Sequence, residues 1–312
     1  MYHHFLNLNS EKSLSSSYEW EETNCSAFDE LLISWNAARP QRGAYAIYVS
    51  VNIDEWTPWL LYARWTSTSQ RGCSTSIEGS LARVYQDAVE VLEEKKGKGF
   101  RVRVVAEEGA VLDHFSQLHV CASDMKTIQA PSCLHATSSI ALPLKGLSQR
   151  ALADARTERL CSPTSTTAVV RYLLQKDELQ PLQFAEHVWD AEFDIFGNWV
   201  FNVAQAYAEL GRGWSCWVSR LSGFDEVFES LKEGMPVVIS VRSPLVGSAS
   251  TYSSGHLIAI KGYDSEKKEV LCMDPAFKSD EETDVRYALD DLLQAWERRK
   301  WVAYLFKKNS ID

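Results

Sequence analysis

Residues 160–174 read LCSPTSTTAVVRYLL, and this stretch decides the fold of the C-terminal half. Ser162 is a favourable helix N-cap, and Pro163 suits the first helical position, where its missing N–H costs nothing. Ala168, Val169, Tyr172 and Leu173 follow at the spacing of one helix face, which predicts a helix from Pro163 to about Gln175. Cys161 thus falls at the mouth of a helix N-terminus. There, unpaired N–H groups and the positive end of the helix dipole stabilise a thiolate. A thiol that starts near ~8.5 is brought well below neutrality by such a site together with an imidazolium. A cysteine is otherwise most simply a small buried hydrophobe. The capped helix start separates Cys161 from the other six, at 25, 73, 121, 133, 216 and 272.

Downstream, Asn198 is the expected N-cap of a second helix reaching about Leu210. Ser222 precedes a third, with Phe224, Val227, Phe228 and Leu231 on one face and Gly234 and Pro236 closing it. Three strands are expected next, PVVISVR (236–242), HLIAIKGY (256–263) and EVLCMDP (269–275). A helix in LDDLLQAWERR and a last strand in WVAYLF complete an α+β arrangement.

The segment 253–275, SSGHLIAIKGYDSEKKEVLCMDP, sets two alternating apolar strands around polar DSEKKE, the pattern of a β-hairpin. Folded about Ser265, the hairpin puts His256 opposite Asp274. A different turn centre shifts the partner by one pair and leaves diagonal contact. Gly255 would let another part of the chain approach the histidine closely. A nucleophilic cysteine needs a base, and the base needs a third group to fix its tautomer and aim. Cys161 on a helix tip, with His256 and Asp274 on a sheet, supplies that set. The competing reading is a packing histidine and an ordinary cross-strand polar pair.

Upstream, residues 1–25 are polar and serine-rich and read as a flexible lead-in. Residues 26–125 read as a β-sandwich-like domain: AYAIYVSV (44–51) and FRVRVVAEE (100–108) alternate in period two, and WTPWLLYARW (56–65) is aromatic and β-prone. Short helical pieces are expected at FDELLISW and near LARVYQDAVEVLEEKK. Residues 126–145, rich in Ser, Thr and Pro, read as a linker into a C-terminal domain, 146–312. Trp56, Trp59 and Trp65 are candidates either for a sugar- or peptide-binding face or for sandwich core.

The motifs CSPTSTTAVVRYL, GNWVFNVAQAYAELG, LKEGMPVVISV, GHLIAIKGY and MDP, in that order, resemble the bacteriocin-processing-like family of papain-fold cysteine peptidases. The resemblance covers roughly residues 140–306. It implies a papain-like fold with Cys161 as nucleophile, His256 as base and Asp274 as orienting acid. It further implies that Gln149, in LSQ before the cysteine, supplies an oxyanion-hole amide beside the Cys161 backbone N–H. Met273 stands where the family commonly has Asn before Asp-Pro. The first half is similar to a β-domain that precedes this unit in some bacterial proteins, on Ser34-Trp35, Trp56-Thr57-Pro58-Trp59 and Arg64-Trp65.

With 312 residues the chain exceeds what one core usually holds, and its net charge of −10 repels phosphate backbones, so no nucleic-acid partner is expected. No apolar run approaches the ~20 residues of a membrane span, and no Sec-type signal is visible, which makes the cytoplasm the default compartment and leaves export by another route open. The seven cysteines are dispersed without CxxC pairs and the seven histidines show no HExxH spacing, so neither disulfides nor a metal or other cofactor are expected. The leading expectation is hydrolysis of a peptide or related amide in a peptide or protein substrate, through a thioester acyl-enzyme. Acyl or aminoacyl transfer with the same three residues, and a non-catalytic module whose β-domain holds a ligand, stay open beside it.

Overall fold

Period-two alternation of β-branched and aromatic residues dictates the first half. The computed structural model describes residues 1–8, 16–128 and 136–309. In chain order its first half contains β1 (Tyr2–Asn7), β2 (Ser17–Glu22), β3 (Glu30–Ala37), β4 (Ala44–Asn52), β5 (Leu60–Thr66), β6 (Gln70–Ser76), β7 (Ala82–Gln86), β8 (Ala88–Val91), β9 (Gly99–Glu107) and β10 (Phe115–Ser123). There follow β11 (Ile140–Ala141), α1 (Cys161–Leu174), α2 (Pro181–Val188), α3 (Trp199–Leu210), β12 (Trp214–Arg220) and α4 (Phe224–Lys232). β13 (Val237–Val241), β14 (His256–Asp264), β15 (Glu269–Met273), β16 (Asp284–Ala288), α5 (Leu289–Glu297) and β17 (Val302–Lys308) complete the chain.

The chain divides into two compact units, one of Met1–Ile128 with His187–Arg212, the other of Gln129–Glu186 with Gly213–Asp312. In the first, ten antiparallel strands run in the order β1-β10-β3-β8-β7-β6-β5-β4-β9-β2. The two edge strands approach through side chains, His4 Nδ1 lying 3.9 Å from Glu22 Oε2, so the sheet curls into a nearly closed barrel. Trp35, Trp65 and Phe201 fill its core, with the Phe201 ring centroid 5.9 Å from Trp35 and 6.0 Å from Trp65. Phe201 belongs to α3, which begins at Asn198, whose side chain accepts a hydrogen bond from the Phe201 N–H as expected of an N-cap. This helix, read from sequence as part of a continuous C-terminal domain, therefore packs with the N-terminal strands. Of the three tryptophans singled out above, Trp65 is fully buried, while half-buried Trp56 and Trp59 carry the guanidinium groups of Arg101 and Arg103 on their ring faces.

Three sequence expectations are corrected here. FDELLISW is not helical: Glu30–Ala37 forms β3, buried along its whole length between β10 and β8. A strand covered on both faces loses its alternation, so its apolar run imitates a helix. LARVYQDAVEVLEEKK is likewise the β7–β8 hairpin, turning at Gln86 and Asp87, with Gln86 at φ +56°. The polar lead-in supplies β1 and β2, while its residues 9–15 lie outside the described residues, as do 129–135 of the expected linker, Cys133 included.

In the second unit the strands run β12-β17-β13-β14-β15-β16, with β11 pairing beside β14. The apolar strands expected at 236–242, 256–263 and 269–275 form β13, β14 and β15, in antiparallel register. α1 packs on β14 and β13, tied by hydrogen bonds from Ser165 Oγ to the Leu257 carbonyl and between the Ser162 and Tyr304 hydroxyls, 2.9 Å each. Ser162 is thus inside the helix, not its N-cap. Leu160 holds that position, and Cys161 is itself the first helical residue.

Candidate active site

Position in α1 sets the chemistry of Cys161. As the first helical residue it has a backbone N–H with no acceptor inside the helix, and its half-buried thiol meets the positive end of the helix dipole. Facing it is His256, the first residue of β14, which pairs with Val241 of β13 and is 5% exposed. Asp274 directly follows β15 and is fully buried. The register Ala259↔Met273 and Ile260↔Cys272, extended outward, sets residue 276 opposite His256, so Asp274 reaches the imidazole diagonally. The contact is His256 Nε2 to Asp274 Oδ1, 2.7 Å. The Cys161 sulfur and the same imidazole interact, each shifting the protonation of the other. Three of the four site residues expected from sequence are therefore brought together around one imidazole.

The carboxylate is held by four donors. Oδ1 accepts from His256 and from the Ala276 N–H at 3.0 Å, and Oδ2 accepts from the hydroxyls of Tyr252, 2.8 Å, and Tyr287, 2.7 Å. Burial alone would raise its pKa, yet the adjacent imidazole and these donors outweigh burial and hold it below the ordinary carboxylate value. Burial likewise opposes charge on His256, but the Asp274 carboxylate and the Cys161 sulfur overcome it and raise the imidazole to about 10. For Cys161, desolvation pushes the thiol up, while His256 and the Leu257 and Ser162 backbone push it down, and the net shift is downward. Both shifts favour a thiolate–imidazolium pair at neutral pH. At buried Cys216, by contrast, desolvation drives the thiol upward.

Gln149 is 2% exposed. Its Nε2 donates to the Thr157 carbonyl at 2.7 Å, and its Oε1 is buried without a hydrogen-bond partner among the described residues. Thr157 opens the 3-10 turn that leads into α1, and its backbone carbonyl also accepts from the Leu160 N–H. Gly255 has φ +125°, and a Cβ there would lie 3.1 Å from Arg299 Nε, so the close neighbour expected beside the histidine is an arginine side chain. Tyr252 and Tyr287 were not singled out from sequence. The first lies in an irregular loop and the second in β16, a strand whose alternation in DVRYA was the one available signal. No group of three or more His, Cys, Asp or Glu side chains among the described residues could hold a metal ion, and no described helix is long and apolar enough to cross a membrane.

A thiol on a helix tip, against an imidazole on an antiparallel sheet that is backed by a carboxylate, is the layout of papain-like cysteine peptidase folds. The chain belongs to the Peptidase_C39 like family, whose model matches residues 142–304, more than half of its length. A second model, the Peptidase C39 N-terminal domain, matches residues 16–111. Among solved structures, a candidate C39-like peptidase from Bacillus anthracis is 19% identical over 56% of this chain and 100% of its own, with a TM-score of 0.43. Xylellain, a cysteine protease from Xylella fastidiosa, is 11% identical over 60% of this chain and 94% of its own, with a TM-score of 0.33. A comparison with curated proteins gave no match.

Proposed function

We propose that the protein is a cysteine peptidase that cleaves a peptide or related amide bond, with Cys161 as nucleophile, His256 as acid and base, and Asp274 as orienting group. The observation that carries this reading is the 2.7 Å contact of His256 with Asp274, with the Cys161 sulfur interacting with the same imidazole, within the region matched by a peptidase family. The Cys161 thiolate attacks the carbonyl carbon, forming a C–S bond as the carbonyl electron pair moves onto oxygen. That oxyanion is held by the Cys161 backbone N–H and by the second Nε2 hydrogen of Gln149, the first being engaged by Thr157. As the tetrahedral centre collapses, the C–N bond breaks, and His256 Nδ1 gives its proton to the departing amine. A water then attacks the thioester and passes a proton to the neutral imidazole. The acid product leaves, and the thiolate–imidazolium pair is restored.

The test is substrate-independent at first. Iodoacetamide should alkylate Cys161 below neutral pH, far faster than the other cysteines, and His256→Ala should abolish that advantage. Peptide libraries with the wild-type protein should then yield cleavage that Cys161→Ser removes. Equal alkylation of Cys161 and the comparably half-buried Cys25, or cleavage that survives Cys161→Ser, would overturn the proposal. Product formed only when an amine acceptor is supplied would reassign the reaction to acyl transfer.

A further inference from the structure

Tyr252 lies four residues before His256 and touches two members of the proposed triad. Its ring stacks on the imidazole, with centroids 3.9 Å apart and planes at 21°, and its hydroxyl donates to Asp274 Oδ2 at 2.8 Å. The residue is 5% exposed. Its backbone is clasped to Ser243 in both directions: the Tyr252 N–H donates to Ser243 Oγ at 2.7 Å, and the Ser243 N–H donates to the Tyr252 carbonyl at 3.1 Å. Arg298 Nη1 donates to the Pro244 carbonyl at 3.0 Å and fixes the base of the same loop. Phenol and imidazole are therefore held face to face by backbone and side chain together.

We infer that Tyr252 is a positioning residue for the peptidase reaction, which holds the His256 ring plane and the Asp274 carboxylate rotation and keeps water from the bond between them. The inference rests on the peptidase reading. Tyr252 and Tyr287 both bind Oδ2, so rotation of the carboxylate would break two hydrogen bonds, and Oδ1 stays aimed at Nε2. The phenol face lies over the imidazole at a distance that favours a cation, which adds to the imidazolium's stability. Excluding water also preserves the strength of the imidazole–carboxylate attraction, which a high-dielectric shell would screen. The other titratable groups around the pair are Cys161 from α1, Cys272 from β15, Tyr287 from β16, Lys261 further along β14 with its ion-pair partner Asp284 of β16, and the Arg299 guanidinium against Gly255.

The test follows Cys161 alkylation by iodoacetamide as a function of pH in the full chain, with the modified cysteine located by mass spectrometry. Tyr252→Leu removes stack and hydroxyl, Tyr252→Phe removes the hydroxyl alone, and Ser243→Ala loosens the clasp. In Tyr252→Leu the acid edge of the alkylation profile should move to higher pH. At pH 5 the rate should fall about tenfold, the effect of a one-unit rise in the thiol's pKa, with less than about threefold change at pH 8. Tyr252→Phe and Ser243→Ala should move the edge less, in the same direction. A merely structural role would lower the rates at every pH in proportion and leave the edge where it was. A wild-type edge in Tyr252→Phe and Ser243→Ala, with a wild-type edge or only proportional loss in Tyr252→Leu, overturns the inference. Should Tyr252→Leu fail to fold, the other two variants decide. A wild-type Cys161 that is inert below neutral pH sinks the peptidase reading instead.

Discussion

His256 Nε2 lies 2.7 Å from Asp274 Oδ1, and this single contact assigns the other ring nitrogen, since Nδ1 alone is left to face the Cys161 thiol. The carboxylate fixes which nitrogen carries the outer proton and so which one exchanges a proton with sulfur. An ion pair defined this way has a predictable pH range. On the proposed reading, the acid limb of peptidase activity would be set by protonation of the Cys161 thiolate, whose pKa is lowered, and should lie below the ordinary thiol value. The alkaline limb is set by loss of the imidazolium proton, near pH 10. A bell-shaped profile of kcat/KM with these limbs is the expected result, and an acid limb near the ordinary thiol value would contradict it.

In the proposed reaction Gln149 acts on the oxyanion and not on the ion pair. Gln149→Ala should therefore reduce kcat by about 10²–10³-fold while leaving the pH profile of Cys161 alkylation at its wild-type position. The two measurements on one variant separate stabilisation of the developing charge from ionisation of the nucleophile. A shifted alkylation profile would mean that Gln149 instead shapes the entry to α1 through Thr157.

Gly255 occupies a backbone conformation that side chains resist, at φ +125°, with Arg299 against it. Gly255→Ala should destabilise the protein by about 1–3 kcal/mol, as strained non-glycine positions do, measured by urea denaturation. Because His256 is the next residue, the variant should also lose Cys161 alkylation at low pH. Wild-type stability would show that the backbone relaxes there at no cost.

Phe201 is fully buried among Trp35 and Trp65. Phe201→Ala should cost about 3–5 kcal/mol through the cavity it leaves, read as a lowered denaturation midpoint. A loss below about 1 kcal/mol would mean that the neighbouring rings collapse into the space.

Much of the site was legible because its residues are set by local rules. Pro163 and the apolar spacing after it announce a helix, and the hairpin around 264–268 brings His256 near Asp274 without any long-range information. The register is displaced by one pair from a fold about Ser265, yet a diagonal contact survives such a shift. The helix start was misplaced by two residues because Ser162 is spent on Tyr304, a partner 142 positions away that no local pattern announces. Tyr252 and Tyr287 were invisible for the same reason: their meaning lies in sharing one carboxylate oxygen, and they approach it from a loop and from β16. In the first half, β3 was mistaken because burial on both faces erases period-two alternation, the signal by which strands are recognised.

The placement of α3 bears on how this protein is inherited and handled. A fragment beginning after residue 135 would carry the helix but lack the strands that bear Trp35 and Trp65, and would turn the ring of Phe201 toward water. Such a fragment trades a hydrophobic core for a sticky surface. The span after residue 135 is thus no self-contained piece, and gene fusions or truncations that respect sequence order alone will cut through the interior of the first unit.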